Sequence, residues 1–331
     1  MFVFELDHTD NKSLLRKLAG AMGVPYHGED FVELQEPAGS GTIKVIDIAD
    51  ELQVLLADVV FFSHLFAKRQ PSQKRFYVLH FEDIDVNDTA TFSVDGETLH
   101  KKNTRHSVVR LTSNVFYNTE EITANTPVKA VKVFFSEAWL KKYLGLGDHV
   151  DGLQKYVSLK TACFDMEPLD AEYLKLMNEL WGAKKSDPLQ NIFLQNRVAL
   201  LIERFFSRLS VKMNKMEGVA YISESDMQRL IQVEQLLVKN LNQSPPTIDQ
   251  LSKLVNISAT RLKKNFKEMY GSSINQYYQV MRLQKAKELL LSGQYSIKAT
   301  ATATGFSSTA AFTAAFQKQF ARLPAELIRE S

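Results

Sequence analysis

The sequence predicts an α+β chain of two domains: a β-rich N-terminal domain with flanking helices and an all-helical C-terminal domain. Three observations support this prediction. Short runs of alternating apolar residues, the period of half-buried strands, recur in residues 1–165. Helical periodicity dominates the remainder of the chain. Within the last hundred residues, one helix-turn-helix pattern occurs twice, about 50 residues apart.

Each copy of the repeat combines apolar positions with a serine at the start of its second helix. The first copy comprises Ile248, Leu251, Ile257, Ser258, Leu262, Phe266 and Tyr270, and the second comprises Ile297, Ala301, Phe306, Ser308, Phe312, Phe316 and Phe320. We place the units at about 247–270 and 296–320, joined by a helix over 274–291, with Pro324 ending the pattern. Such units insert their second helix into the DNA major groove, so the repeat predicts DNA binding.

Capping residues divide this region into helices. Thr247 with Gln250, and Ser273 with Gln276, have the spacing of capping boxes. Ser258 and Ser296 are predicted N-caps. Gly271 suits the left-handed residue that follows a helix.

Two segments resemble the AraC/XylS-type transcription regulators. Residues 282–290 (RLQKAKELL) are similar to the helix that joins the two units in that family. Gly305-Phe306-Ser307-Ser308, followed by Phe312, Phe316, Lys318, Phe320 and Pro324, resembles the signature that ends those proteins. The resemblance covers roughly residues 226–331. Three positions depart from the family pattern: Thr300 replaces an aliphatic residue, Ala321 replaces glycine, and Arg329 lies one residue later than usual.

The resemblance implies a sensory domain that binds a small-molecule effector and dimerises, and it implies RNA polymerase as a partner. It also points to the first recognition helix as base-reading. Helical geometry places Thr260, Lys263, Lys264 and Lys267 opposite the buried Leu262. Lysine can bond guanine acceptors or phosphates, and Ser258 lies at the helix N-terminus. The alternative is an ordinary solvated lysine face.

The second recognition helix presents an uncharged face: Ala310, Thr313, Ala314 and Gln317. It reads thymine methyl groups by apolar contact or docks weakly, and we favour weak docking. Ser307 and Ser308, with the dipole of the helix, are expected to hold a phosphate, and Thr309 beside them is expected to contact DNA. Members of the family often have a basic residue near Ala314.

The charges are divided unevenly between the two parts of the chain. The 331 residues carry a net charge of +2, but residues 224–331 contain 14 Lys+Arg and 8 Asp+Glu, which leaves −4 on residues 1–223. The basic surplus therefore coincides with the predicted DNA-binding domain. Hydrophobic residues make up 45% of the sequence, enough for a sizeable core in each domain.

The N-terminal domain, residues 1–165, is expected to form a sandwich or a cupin-like barrel. We predict strands at 42–48, 52–60, 75–81, 107–111 and 128–135, with helices at 11–21 and 136–144.

Residues 166–212 are predicted to form a pair of helices, over 168–186 and 188–210. Pro168 and Pro188 are expected in their first turns. The second helix carries a wide apolar stripe: Phe193, Leu201, Ile202, Phe205 and Leu209. This stripe packs on the β domain or forms a dimer interface. Residues 213–225 are predicted to be a linker, and residues 226–331 the DNA-binding domain.

Neither a metal site nor a cofactor is expected. No two of the seven histidines have the spacing of helical metal ligands. The densest titratable cluster, His80-Phe81-Glu82-Asp83, is expected at a solvent-exposed strand end. The single cysteine, Cys163, excludes an internal disulfide. The N-terminus lacks the basic region of a signal peptide, and no run is long enough to span a membrane. These features predict a cytoplasmic protein.

We therefore expect a dimeric, sequence-specific transcription regulator that responds to an effector as an activator. An effector site in the β domain is expected, but its residues are unknown. One alternative is an enzyme with an appended DNA-binding module, which would need a deep pocket with catalytic geometry. Another is a ligand-independent DNA-binding protein, which would have a collapsed N-terminal core.

Overall fold

The fold comes from a computed structural model that describes residues 2–6, 11–28, 30–69, 75–84, 92–94, 97–98, 106–114, 117–144, 167–183, 188–214, 222 and 224–330. The chain forms two compact units that divide near residue 220. Cys163, Asp187 and most of the predicted 213–225 linker lie outside the described residues.

The N-terminal unit contains two β-sheets. The five-stranded sheet has the order β1 (Phe2–Leu6), β5 (Leu65–Arg69), β10 (Asn118–Ile122), β7 (Phe92–Val94) and β8 (Glu97–Thr98). The seven-stranded sheet has the order β12 (Glu167–Pro168), β9 (His106–Ser113), β6 (Phe76–Ile84), β11 (Thr126–Ser136), β4 (Leu52–Phe61), β3 (Gly39–Ala49) and β2 (Phe31–Leu34). All of its neighbouring strands are antiparallel, whereas β1 and β5 are parallel.

The seven-stranded sheet is buried on both faces. On β4, Val54 and Leu56 belong to one hydrophobic core, while Leu55 and Ala57 belong to another. The second core also receives Leu65, Ala67 and Ile122 from the other sheet, and helix α1 (Asn11–Met22) covers it. The two sheets therefore form a sandwich, and the predicted β-rich fold is confirmed. All five predicted strands are present in the seven-stranded sheet, which adds the short strands β2 and β12 at its two edges. The strands of the five-stranded sheet were not predicted.

Helices cover the outer face of the seven-stranded sheet. They are α2 (Glu137–Leu144), α3 (Ala171–Trp181) and α4 (Gln190–Asn214). The apolar stripe of α4 faces this sheet, with Leu201, Ile202, Phe205 and Leu209 at most 2% exposed. These four side chains are thus buried within their own chain, as the packing alternative expects, and are not available to a partner, whereas Phe193 of the predicted stripe is half-buried.

The start of the helical pair differs from the prediction. Pro168 lies in β12 and pairs with Val108, and α3 begins after Asp170, whose side chain accepts from the backbone of Glu172 and Tyr173. The helix begins after Asp170 rather than at Pro168, because the Asp170 carboxylate accepts hydrogen bonds from backbone N–H groups of the first turn. A proline at the helix start would leave these N–H groups without an acceptor.

The His80 cluster is not a solvated strand end. His80, Glu82 and Asp83 lie within β6 and are at most 6% exposed. The Arg110 guanidinium donates to Glu82 at 3.0 and 3.1 Å and to Glu120 of the other sheet at 2.6 Å. Lys132 Nζ lies 2.7 Å from Glu120. Sequence reasoning missed this burial because the cations that pair with these carboxylates come from strands distant in sequence.

This network also explains the protonation of its members. Burial, followed by the Arg110 charge, lowers the pKa of His80 to about 3, so its ring is neutral. Burial alone would raise the pKa of Glu82, but Arg110, His80 and Lys132 together outweigh burial and hold the pKa of that carboxyl below its usual range. His80, Glu82 and Glu120 come close enough to share a metal ion. However, Arg110 and Lys132 already neutralise the two carboxylates and would repel a cation.

A cavity of about 90 Å³ lies between the two sheets, next to the charged network. Its wall is mostly apolar and includes Leu14 and Leu18 of α1. The polar side of the wall is formed by Arg69, His80, Glu120 and Lys132.

The C-terminal unit is helical. It comprises α5 (Glu224–Lys239), α6 (Ile248–Val255), α7 (Ala259–Tyr270), α8 (Ile274–Leu291), α9 (Ile297–Ala303), α10 (Thr309–Phe320) and α11 (Pro324–Glu330). Pro324 does not end the pattern but begins α11, since proline suits the first turn of a helix. Leu327 of α11 then packs in the core of the second unit. None of the helices in the described parts of the chain has the length and hydropathy needed to cross a membrane.

Candidate nucleic-acid interface

The first helix-turn-helix unit is formed by α6 and α7, and caps fix both helices. Thr247 and Gln250 form the predicted capping box, with the Thr247 N–H donating to Gln250 Oε1 at 2.8 Å. Asn256 ends α6 in the left-handed conformation, at φ 52°. The Ser258 hydroxyl accepts from the Arg261 N–H and starts α7, which ends at Gly271 with φ 75°. The turn therefore has defined helix ends on both sides.

The second unit, α9 and α10, repeats this arrangement. Ser296 caps α9 and Ser308 caps α10, each accepting a backbone N–H at 3.1 Å. Gly305 forms the turn with φ 70°, and its Cα approaches the Asn242 carbonyl so closely that a side chain would clash. Ala321 ends α10 with φ 53°, a conformation that glycine adopts more readily.

Helix α8 is held against the turn of the second unit. Arg282 of α8 donates through Nε to the Thr304 carbonyl, and its guanidinium lies 3.8 Å from the centre of the Phe306 ring. Near its C-terminus, Leu290 packs with Phe312 and Phe316 of α10.

Helix α8 also packs on the first unit. The Tyr277 ring lies 5.6 Å from that of Phe266 on α7, and the Tyr277 hydroxyl donates to the buried Glu234 of α5. Helix α8 therefore connects the two recognition helices through packed contacts as well as through the chain.

The recognition helix α7 places its predicted DNA-facing residues at the surface. Thr260, Lys263, Lys264 and Lys267 are all exposed, while Leu262 is fully buried. Ser258 is exposed at the helix N-terminus. The structure therefore brings the predicted residues together on one basic face, separate from the core.

The recognition helix α10 exposes most of its predicted residues. Ser307, Ser308, Thr309, Ala310, Ala314 and Gln317 are exposed, whereas Thr313 is half-buried. This face carries no charge, so it offers hydroxyl, amide and methyl groups only. Thr300, on α9, is fully buried and its hydroxyl has no hydrogen-bond partner among the described residues.

One exposed cation of α7 was missed by sequence reasoning. Arg261 Nε lies 2.7 Å from Oδ2 of Asp226, a buried residue of α5. Asp226 also accepts from Asn265 Nδ2 at 2.9 Å and contacts Arg229 at 3.2 Å. The partners are 35 residues apart in sequence, so helical periodicity could not reveal the pair, although an acidic residue at the start of α5 was visible.

Comparisons with known proteins agree with this geometry. The helix-turn-helix domain family matches residues 251–330. The chain is 37% identical over 81 residues to the transcriptional regulator GlxA of Rhizobium meliloti, covering 24% of this chain and 25% of that protein. It is 28% identical over 166 residues to the transcriptional regulator ArgR of Pseudomonas aeruginosa, covering 50% and 47%. The chain thus spans about a quarter to half of the length of these curated relatives.

A solved AraC-type regulator structure from Chromobacterium violaceum is 27% identical, covering 33% of this chain and 96% of that one with a TM-score of 0.30. The family match coincides with the two capped units described above. Residues 251–330 therefore belong to the helix-turn-helix domains of AraC/XylS-type transcription regulators.

Proposed function

We propose that the chain is a DNA-binding transcription regulator whose two helix-turn-helix units contact one DNA duplex. The observation that carries this proposal is the pair of capped recognition helices, α7 and α10, packed on the single connecting helix α8. Two such helices on one connector suit successive major grooves of a duplex.

The two helices have different roles in this proposal. Lys263 and Lys264 of α7 read bases or phosphates, with Thr260 and Lys267 beside them on the exposed face. Helix α10 docks weakly, because its predicted DNA-facing residues Ala310, Thr313, Ala314 and Gln317 are uncharged. Its N-terminal Ser307, Ser308 and Thr309 hold a phosphate with the help of the helix dipole.

The N-terminal unit supplies regulation in this proposal. The cavity between its sheets supports an effector-responsive protein over a ligand-independent one, because a ligand that binds one conformation better shifts the population towards it. Glu120, beside the cavity, forms ion pairs with Arg110 and Lys132. Because these charged groups are already paired with each other, the arrangement disfavours the enzyme alternative. Dimerisation, activation and contact with RNA polymerase remain expectations from the family resemblance, as does a cytoplasmic location.

Selection of bound duplexes from a random DNA pool, followed by a salt titration of the full chain, tests this proposal. We expect an enriched sequence and a slope of log affinity against log salt of roughly −4 to −5, since about four to six phosphate contacts each release counterions. A flat salt response, or no enriched sequence, would contradict sequence-specific DNA binding.

A further inference from the structure

The cavity exists because small side chains face each other between the sheets. Ala57 and Ala130 are direct cross-strand neighbours on β4 and β11, and Ala67 of β5 lines the cavity from the opposite sheet. All three are buried. Protein interiors rarely keep voids larger than a water molecule, so three alanines at one place leave an unusual space.

The size and wall of this space define the body of a ligand. One buried water molecule needs about 10–15 Å³ of cavity volume, so a cavity of about 90 Å³ accommodates about six to nine non-hydrogen atoms. Leu14, Leu18 and Phe61 contribute to its largely apolar wall. A ligand with a compact apolar body therefore fits this cavity best, because burying its apolar surface away from water favours binding.

The polar side of the cavity defines the head group. Lys132 Nζ lies 2.7 Å from Glu120 Oε2, and Glu120 Oε1 accepts from Arg110 at 2.6 Å. Arg69 also lines the cavity, and its guanidinium donates to the Thr112 hydroxyl at 3.0 Å and to Asn118 Oδ1 at 3.3 Å. A carboxylate on the ligand would compete with Glu120 for Lys132, and an ammonium would compete with Lys132 for Glu120. Either ion would also have to lose its hydration. A hydroxyl can instead accept from Lys132 and donate to Glu120, leaving the pair intact.

We propose that the cavity binds a compact, uncharged, largely apolar molecule of about six to nine non-hydrogen atoms that carries a hydroxyl group hydrogen-bonded to both Lys132 and Glu120. This inference rests on the proposed function only in naming the molecule an effector. The ligand class itself is tested without DNA.

Thermal unfolding of the full chain with matched cyclic probes tests the ligand class. Cyclohexanol should raise the Tm in a concentration-dependent way, by roughly 5–10 °C at one hundred times its Kd, because it binds the native state. Cyclohexanecarboxylate and cyclohexylammonium at the same concentrations should give no comparable shift. Cyclohexane, which lacks the hydroxyl, should give a smaller shift than cyclohexanol.

Substitutions that fill the cavity locate the site. Ala130→Val and Ala57→Val should each weaken cyclohexanol binding about tenfold while the protein remains folded, because the added methyl groups occupy the ligand's space. The matched control is Ala199→Val on the exposed face of α4, which should respond like wild type. Equal responses of Ala130→Val and Ala199→Val would place the binding elsewhere and overturn the proposal.

Two results with the wild-type chain also decide the question. If none of the probes raises the Tm, the cavity is only a packing defect. If the carboxylate raises the Tm more than cyclohexanol does, the site binds anions. Either result overturns the proposal. DNA binding of the same preparation is measured separately. A chain that binds cyclohexanol as expected but not DNA would contradict the proposed function and leave the ligand class supported.

Discussion

Arg261 of the recognition helix α7 is tied to Asp226 of α5, with 2.7 Å between Nε and Oδ2. Asp226 is buried and Arg261 is 57% exposed, so a fixed carboxylate holds one edge of the guanidinium while the side chain remains at the surface. Asn265, one turn further along α7, donates to the same carboxylate oxygen. This arrangement restricts the orientation of a cation at the side of the proposed DNA-binding face.

We expect Arg261 to contact a phosphate. Arg261→Ala should weaken binding about equally at the selected site and at random DNA, and should reduce the salt slope by about 1. Asp226→Asn keeps the charge of Arg261 but weakens its support, so it should also lower affinity. Arg229→Ala removes another contact of Asp226 without touching α7 and serves as the control. An unchanged salt slope in Arg261→Ala would show that this residue only stabilises the fold.

The basic face of α7 should contribute more to specificity than the uncharged face of α10. Lys263→Ala or Lys264→Ala should cost about 1–3 kcal/mol at the selected site if the side chain reads a base, and less at random DNA. Thr313→Ala should cost less than either. If a lysine variant loses the same binding free energy at the selected site and at random DNA, that lysine contacts phosphate rather than a base. If Thr313→Ala loses more than either lysine variant, the ranking of the two units is reversed.

The left-handed residue Ala321 should limit the stability of the C-terminal unit. Ala321→Gly should stabilise it by about 1 kcal/mol, because an alanine at φ 53° brings its Cβ too close to the backbone. Ala311→Gly, at an exposed position inside α10, should have the opposite sign and destabilise by about 1 kcal/mol. Denaturant unfolding of both variants gives the comparison. Destabilisation by both would show that the strain at Ala321 is negligible.

Adjacent leucines of α4 should differ sharply when changed to glutamate. Leu201 is fully buried and Leu200 is 41% exposed. Leu201→Glu should destabilise the N-terminal unit by about 3 kcal/mol or more, since it buries an unpaired charge, whereas Leu200→Glu should cost about 0.5 kcal/mol or less. Circular dichroism during unfolding measures both. A folded, monomeric Leu201→Glu protein would instead assign the stripe to a dimer interface.

The buried His80 should make the stability of the N-terminal unit depend on pH. Its pKa is lowered from 6.5 to about 3 in the folded protein, chiefly by burial. Between these values the unfolded chain binds a proton that the folded chain does not, so stability falls as pH decreases from 6.5 towards 3. One proton gives a slope of at most about 1.4 kcal/mol per pH unit.

Denaturant unfolding between pH 7 and 5 tests this dependence before the carboxylates of the network begin to protonate. His80→Gln should have a flatter pH profile than wild type, because it removes the buried imidazole. Parallel profiles for His80→Gln and wild type would show that this histidine does not titrate differently on folding.

The sequence by itself determined the C-terminal domain. Its caps, its left-handed residues and the apolar period of each helix are local features, so Thr247, Ser258, Gly271 and Ser308 mark their helix ends through residues only a few positions away. The exposed face of α7 followed from the same period, because Leu262 fixes which side is buried. Alternation likewise located the five longest strands of the N-terminal unit.

Only the tertiary structure decided which long-range partners meet. It buried the α4 stripe on its own sheet, because Val131 and Val133 supply the facing surface from a strand about 70 residues earlier. It placed Glu82 and Glu120 beside Arg110, and Asp226 beside Arg261, because pairs of opposite charge form across elements that sequence spacing does not relate. The cavity arose in the same way. Ala57, Ala67 and Ala130 leave a space only when three separate strands bring them together, so no local pattern could predict it.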